Sequence, residues 1–328
     1  MRILLINVDS RWNMAIRKLF NYYKQKHEVD MLDLKFSGYP HNRTETIDAT
    51  GYDKVFVSNI FGINSDRVTV INCDDVQFGG IGSRNPHLQL PSDIENTDPF
   101  YYPDEDTSYG FITRGCIRKC WFCLVPKYEG KLTVYNTAES IVKHKKVKFL
   151  DNNILAYPEH MKVFQWLLDR PHIKCEFNQG LDFRLVNDEN LDALSRLNYM
   201  GEYIFAFDEP KYQPLLEKKL TLIKKYISKP WKLKFYIYYH PSMELSQLFE
   251  RVEWCRKNEC LPHVMRDAAC WESEHKNFLI DYAAYCNQAA MFKKMSFEQF
   301  MQKRTKNEER RERSIGIYKE NQKIPISS

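Results

Sequence analysis

Three of the nine cysteines stand within eight residues, in the run Arg114-Gly115-Cys116-Ile117-Arg118-Lys119-Cys120-Trp121-Phe122-Cys123. The spacing is C-x3-C-x2-C. Thiolates this close along the chain can wrap one metal centre from a single loop. A closed structural zinc site takes four ligands, commonly as two separated pairs, and no second C-x2-C pair occurs in the sequence. A [4Fe–4S] cube held by three cysteines keeps one iron open to an outside ligand. The spacing therefore favours an open iron–sulfur cluster over zinc. The plainer alternative is three buried thiols acting as small hydrophobes. Arg114, Arg118, Lys119 and Lys127 argue against it, because a basic, wet loop lowers thiol pKa and suits an anionic cluster.

The same motif, with an aromatic (Phe122) directly before the last cysteine, resembles the signature of the radical S-adenosylmethionine (radical SAM) superfamily. The following residues, Leu124-Val125-Pro126-Lys127-Tyr128-Glu129-Gly130, are similar to the stretch after that motif in methylthiotransferase-like and cobalamin-dependent branches. The resemblance spans residues 105–290 and implies a partial (β/α)6 barrel whose first strand precedes the cysteine loop. It implies Cys116, Cys120 and Cys123 as the ligands of a [4Fe–4S] cluster, with Phe122 beside the cofactor. The open iron then chelates the amino and carboxylate groups of S-adenosylmethionine (SAM). An electron donor such as flavodoxin or ferredoxin reduces the cluster, and one electron enters the sulfonium. The C–S bond breaks to give methionine and a 5′-deoxyadenosyl radical, which abstracts hydrogen from a substrate. The chemistry is the cofactor's; the protein supplies position and a dry cavity. The substrate class, whether small molecule, peptide or nucleic acid, stays open.

Parallel barrels carry active-site groups at the C-terminal ends of their strands. After the second predicted barrel strand comes Asp151-Asn152-Asn153. The family has a short motif there, often Gly-Gly-Glu, that contacts the SAM amino group. This sequence departs from it, and Asp151 and Asn152 are the expected contacts. A turn or helix cap is the simpler reading. After the third strand comes Asn178-Gln179-Gly180-Leu181-Asp182-Phe183-Arg184, where Gln179 and Arg184 are candidates for the SAM carboxylate or ribose. A guanidinium matches a carboxylate with paired donors; the simpler reading is a surface loop with an Asp182–Arg184 ion pair. Asp208, after the fourth strand, could accept from ribose hydroxyls or simply face solvent. Tyr238, Tyr239 and His240 end the fifth strand, and Arg266 and Asp267 the sixth, on the expected substrate side. Cys255, Cys260, Cys270 and Cys286 are spaced unlike an auxiliary-cluster extension and read as buried thiols.

The scaffold that must position these residues reads as α/β in two parts. Strands are predicted at 2–8, 29–34, 53–61 and 68–73, with a helix over 13–26, which makes residues 1–100 a small Rossmann-like domain and connector. Gly79-Gly80-Ile81-Gly82 marks a turn, and the proline-bearing stretch 84–106 an extended connector. Strand position also resembles a degraded cobalamin-binding domain. No His has Asp two residues before it, so the D-x-H-x-x-G cobalt-ligating motif is missing and cobalamin bound through that His is not expected. A methylthiotransferase needs three further N-terminal cysteines, and only Cys73 precedes the motif. The GGIG run lacks the third glycine of a dinucleotide fingerprint. Residues 101–290 form the predicted radical SAM barrel. Its strands are expected at 109–113, 147–150, 175–178, 203–207, 233–238 and 262–265, and its helices at 138–146, 159–169, 188–197, 214–227 and 243–257. Residues 291–328 form a basic helical tail, with QKRTKNEERRER carrying six basic residues against three Glu. A solvated helix is the default for such a tail, and a nucleic-acid contact the sharper alternative.

Composition narrows the rest. The 328 residues include 43% hydrophobic, 28% charged and 14% aromatic, a balance that excludes general disorder. The net charge of +5 permits an anionic partner without requiring one. No run of about 18 apolar residues exists, so no membrane partner is expected. The opening MRILLINVDSRWN has too short an apolar run for a signal peptide. A cytoplasmic setting follows, where thiols stay reduced. Two rival readings stand beside the radical enzyme: a non-catalytic nucleic-acid-binding protein with a structural metal, and a SAM-dependent group-transfer enzyme.

Overall fold

The computed structural model describes residues 1–8, 12–36 and 44–322. The chain is mixed α/β and divides into two compact units: Met1–Gly110 with Arg118–Gly130, and Phe111–Ile117 with Lys131–Ser328.

In the first unit the apolar run Arg2–Val8 forms strand β1, buried from Ile3 onward. Continuous apolar runs of this kind suit parallel sheets covered on both faces. Then come α1 (Met14–Lys24), β2 (Glu28–Leu34), β3 (Glu45–Asp48), β4 (Lys54–Asn59), β5 (Val68–Ile71), β6 (Val76–Gly79), α2 (Ser92–Glu95), β7 (Thr107–Gly110) and, in the returning segment, α3 (Val125–Tyr128). The main sheet has the order β2-β1-β4-β6, each neighbouring pair parallel. Strand side chains alternate between faces. Ile3, Leu5 and Phe56 meet Ile16, Leu19 and Phe20 of α1 together with Ile94 of α2. Leu4, Ile6, Val8, Val55 and Val57 on the other face pack with Ala49 and Val68. Each such large side chain contributes about 1.5–3 kcal/mol by burial.

Two expectations change here. The run at 68–73 is not in the main sheet: Val68–Ile71 pairs parallel with Glu45–Asp48 as a separate two-stranded sheet. The fourth main-sheet strand is Val76–Gly79, whose four residues include a glutamine and a glycine and carry little strand signal. The turn at 79–82 does form. Gly80 adopts φ +92°, and a Cβ there would lie 2.4 Å from the Asn59 carbonyl oxygen. Gly82 donates its N–H to the same carbonyl at 3.0 Å. The connector folds back on α1: the buried Arg17 pairs with Glu105 at 2.6 Å, and the Phe100 N–H bonds the Arg17 carbonyl.

The second unit opens with β8 (Thr113–Arg114), antiparallel to β9 (Thr133–Val134). It continues with α4 (Ala138–Ile141), β10 (Lys146–Phe149), α5 (His160–Leu168), β11 (Lys174–Phe177), α6 (Asp188–Arg196), β12 (Tyr203–Ala206), α7 (Gln213–Tyr226), β13 (Leu233–Tyr239), α8 (Leu245–Lys257) and β14 (Leu261–Arg266). Pairing is parallel between β10 and β11, and from β12 through β13 to β14. A parallel bridge between Leu181 and Phe205 joins the two groups, so these strands follow one another in chain order. Every crossover among them carries a helix, as parallel neighbours require. The single strand expected at 109–113 is interrupted: Thr107–Gly110 belongs to the first unit and Thr113–Arg114 to the second.

Helices α9 (Lys276–Cys286), α10 (Ala289–Lys294), α11 (Phe297–Arg304) and α12 (Glu308–Gln322) finish the unit. The tail is docked through its apolar positions, while most of the basic stretch 302–313 stays solvent-exposed as expected. Phe297, Phe300, Met301 and Tyr318 enter the main core. Arg304 and Arg310 turn inward onto the fully buried Asp281, at 2.9 and 2.7 Å. Among the described residues no helix is long and apolar enough to cross a membrane.

Candidate functional site

The stretch leading into the cysteines is fixed by one carboxylate. Asp151, just past the end of β10 and 2% exposed, accepts the Ile112 N–H at 3.2 Å, the Thr113 N–H at 2.5 Å and the Thr113 hydroxyl at 2.7 Å. Burial raises its pKa against the pull of these donors. Two backbone N–H groups and a hydroxyl are held by it, so Asp151 positions the loop. Arg114 follows, its guanidinium over the Phe111 ring at 4.9 Å. Gly115 takes φ +79°, a left-handed turn that favours glycine, directly before Cys116.

Cys116 is half-buried, and the Asn153 side-chain amide donates toward its sulfur at 3.9 Å. In the first unit, Cys120 and Cys123 are also half-buried and close a tight turn, with the Cys123 N–H on the Cys120 carbonyl at 3.0 Å. Half-buried Phe122 packs edge-on to Trp121, whose side chain is 58% exposed. Cys175, Cys255, Cys260, Cys270 and Cys286 differ sharply: all five are buried. Burial pushes the Cys270 thiol up to about 11 and the Cys175 and Cys260 thiols up to about 12, which keeps them protonated and inert. Among the described residues, no group of three or more His, Cys, Asp or Glu side chains is gathered as at a metal ion.

The other expected residues lie where the parallel strands of the second unit end. Asn152 is half-buried and Gln179 is exposed. Arg184 pairs with Asp182 at 2.6 Å, the ion pair that the plainer reading anticipates, and its guanidinium lies over the Tyr212 ring at 5.2 Å. Asp208 follows β12 and accepts the Tyr238 N–H at 3.1 Å. Burial pushes its carboxyl up to about 6, against the pull of that N–H and of Arg251 and Arg184. On the last two strands the Tyr238 hydroxyl donates to Asp267 at 2.6 Å, and the His240 ring stands 3.9 Å from the same carboxylate.

Three residues outside the expected set matter here. Asn153 is 4% exposed; it bridges Cys116 and Asp182, donating to the Asp182 carboxylate at 3.2 Å, and its Oδ1 has no hydrogen-bond partner among the described residues. Asp182 thereby links β10's end to β11's. Arg251 is fully buried, and the two N–H groups of its Nη1 are shared among the carbonyls of Phe207, Asp208 and Tyr238 at 3.1, 2.6 and 2.9 Å. Burial lowers its pKa to about 10. A signal for Arg251 exists in the sequence: Leu248, Val252 and Cys255 at helical spacing put it on the apolar face of α8. No family model matches the chain, and no curated protein matches it.

Proposed function

We propose that the chain is a radical SAM enzyme: it holds a [4Fe–4S] cluster through Cys116, Cys120 and Cys123 and cleaves SAM reductively to act on a substrate of unassigned class. The observation that carries this reading is the C-x3-C-x-Phe-C loop of three half-buried thiols, set apart from five deeply buried ones. The donor types suit the group: three thiols in one basic loop would ligate three of a cube's four irons, and the Asn153 amide donates toward the Cys116 sulfur. When bound, the cluster supplies one electron to the sulfonium of SAM, yielding methionine and a 5′-deoxyadenosyl radical that abstracts hydrogen.

The chain's own residues have separate tasks in this proposal. Asp151 holds residues 112–113 in place so that Gly115 can turn the chain into Cys116. Asn153 offers a buried, unpartnered carbonyl oxygen, an acceptor suited to an ammonium group such as the SAM amine. Arg184, anchored by Asp182, presents positive charge toward a carboxylate. Asp208, at the end of the neighbouring strand, accepts from ribose hydroxyls. The sequential parallel strands with helical crossovers support a partial barrel as the scaffold, since the polar groups gather at one set of strand ends.

Anaerobic reconstitution with iron and sulfide, followed by SAM and dithionite, tests the reading. Wild type should carry about four irons per chain and release 5′-deoxyadenosine; Cys120→Ala should lose both. Equal yields from the two proteins would end the proposal, and one zinc per chain without sulfide would replace it with a structural metal site.

A further inference from the structure

We infer that Asn153 sets the reduction potential of the cluster through its hydrogen bond to the Cys116 sulfur, with Asp182 and Arg184 as the brace that aims it. The inference rests on the cluster assignment above and adds a positioning residue to it.

The geometry is a chain of four side chains within the second unit. Asn153 Nδ2 lies 3.9 Å from Cys116 Sγ and 3.2 Å from Asp182 Oδ2. Asp182 Oδ1 in turn accepts the Arg184 N–H at 3.2 Å and Arg184 Nε at 2.6 Å. Asp182 is 8% exposed and Asn153 4%, so water competes little for these bonds. One Nδ2–H is thus committed to the carboxylate and the other is directed at the sulfur. An amide has two donor hydrogens on one nitrogen, and both are accounted for. The carboxylate also settles which way the amide faces: with Oδ1 in place of Nδ2, two acceptors would confront each other at Asp182.

A donor on a ligating sulfur stabilises negative charge there. A reduced cluster carries one more negative charge than an oxidised one, so the bond is stronger after reduction. Hydrogen bonds to the sulfurs are among the levers that set cluster potentials, and outer-shell partners of ligands commonly hold such control. Losing this bond should therefore make the cluster harder to reduce. Loss of one net hydrogen bond changes the reduction equilibrium by up to about tenfold, and a tenfold change in a one-electron couple is about 59 mV.

The test uses the full chain, reconstituted anaerobically, and a mediated redox titration followed by the paramagnetic signal of the reduced cluster. Asn153→Leu keeps the approximate volume and deletes the donor. Asn153→Ser keeps a polar group beside Asp182 but is one bond too short to reach the sulfur. Both variants should hold as much iron as wild type and titrate at a more negative potential, by up to about 59 mV. Should Asn153→Leu fail to fold, Asn153→Ser decides alone. Full iron content with an unchanged or more positive midpoint in the folded variants overturns the inference and leaves the cluster assignment standing. A wild-type chain with no reducible cluster removes both.

Discussion

Beside its apolar contacts, the tail is tied down through one buried carboxylate, and removing that carboxylate has a calculable cost. Asp281 is fully buried and receives Arg304 Nε at 2.9 Å, Arg310 Nε at 2.9 Å and Arg310 Nη2 at 2.7 Å, with the Ser314 hydroxyl at 3.5 Å. Breaking a buried ion pair by deleting one partner costs about 3–5 kcal/mol, much of it from the charge left stranded. Here the stranded charges have an exit. The side chains of Arg304 and Arg310 are 32% and 37% exposed, so both guanidiniums can turn to water once released. The expected cost of Asp281→Ala therefore falls to about 2–3 kcal/mol. For a unit of this size that lowers the melting temperature by roughly 4–12 °C. Calorimetry of the full chain reads the shift, and limited tryptic digestion should cut between Arg304 and Arg313 sooner than in wild type. A melting point within about 1 °C of wild type, with unchanged digestion, would refute the reasoning: the aromatic contacts of Phe297, Phe300 and Tyr318 would then hold the tail unaided.

Asp208 should leave a pH signature. Its folded pKa, about 6, lies above the unfolded value of about 3.9. The folded state therefore binds the proton more tightly; the stabilisation is complete below about pH 4 and is lost as pH rises through about 6. Urea midpoints measured across that window should show wild type losing stability relative to Asp208→Asn, and a flat difference would count against the assigned burial. Gly80→Ala should weaken the first unit by about 1–3 kcal/mol, because the backbone sits at φ +92° and the new Cβ meets the Asn59 carbonyl. Faster amide exchange along Lys54–Asn59 checks it, and an unchanged rate would show that the turn relaxes at no cost.

Much of the second unit is legible in the sequence because its helices are long and strongly periodic. The expected spans 159–169, 188–197, 214–227 and 243–257 each fall within two residues of the observed α5, α6, α7 and α8. The parallel strands between them are short apolar runs, and the crossover helices fix their order. The first unit is harder to read. Val68–Ile71 and Val76–Gly79 are both four-residue strands, and which one joins the main sheet depends on long-range pairing that local pattern does not encode. The tail misleads for a different reason. Six basic residues mask four aromatic and apolar positions that reach the core, and the acid they pair with lies far back in α9. At the site, residue type and spacing single out the three cysteines and the polar strand ends. They do not distinguish Asp151, whose carboxylate accepts two backbone N–H groups and a hydroxyl, from Asn153, which bridges a thiol and an acid. That distinction depends on which way neighbouring side chains turn within a three-residue loop.

The chain passes from one unit to the other three times, at 110–111, 117–118 and 130–131. A single cut therefore cannot release either unit whole: a fragment ending at Gly110 forfeits Arg118–Gly130, and one beginning at Phe111 carries that segment without its neighbours. Shuffling at the gene level meets the same obstacle, because Cys116 is allotted to one unit while Cys120 and Cys123 are allotted to the other. Lengthening or trimming either unit at its far end leaves all three crossings in place.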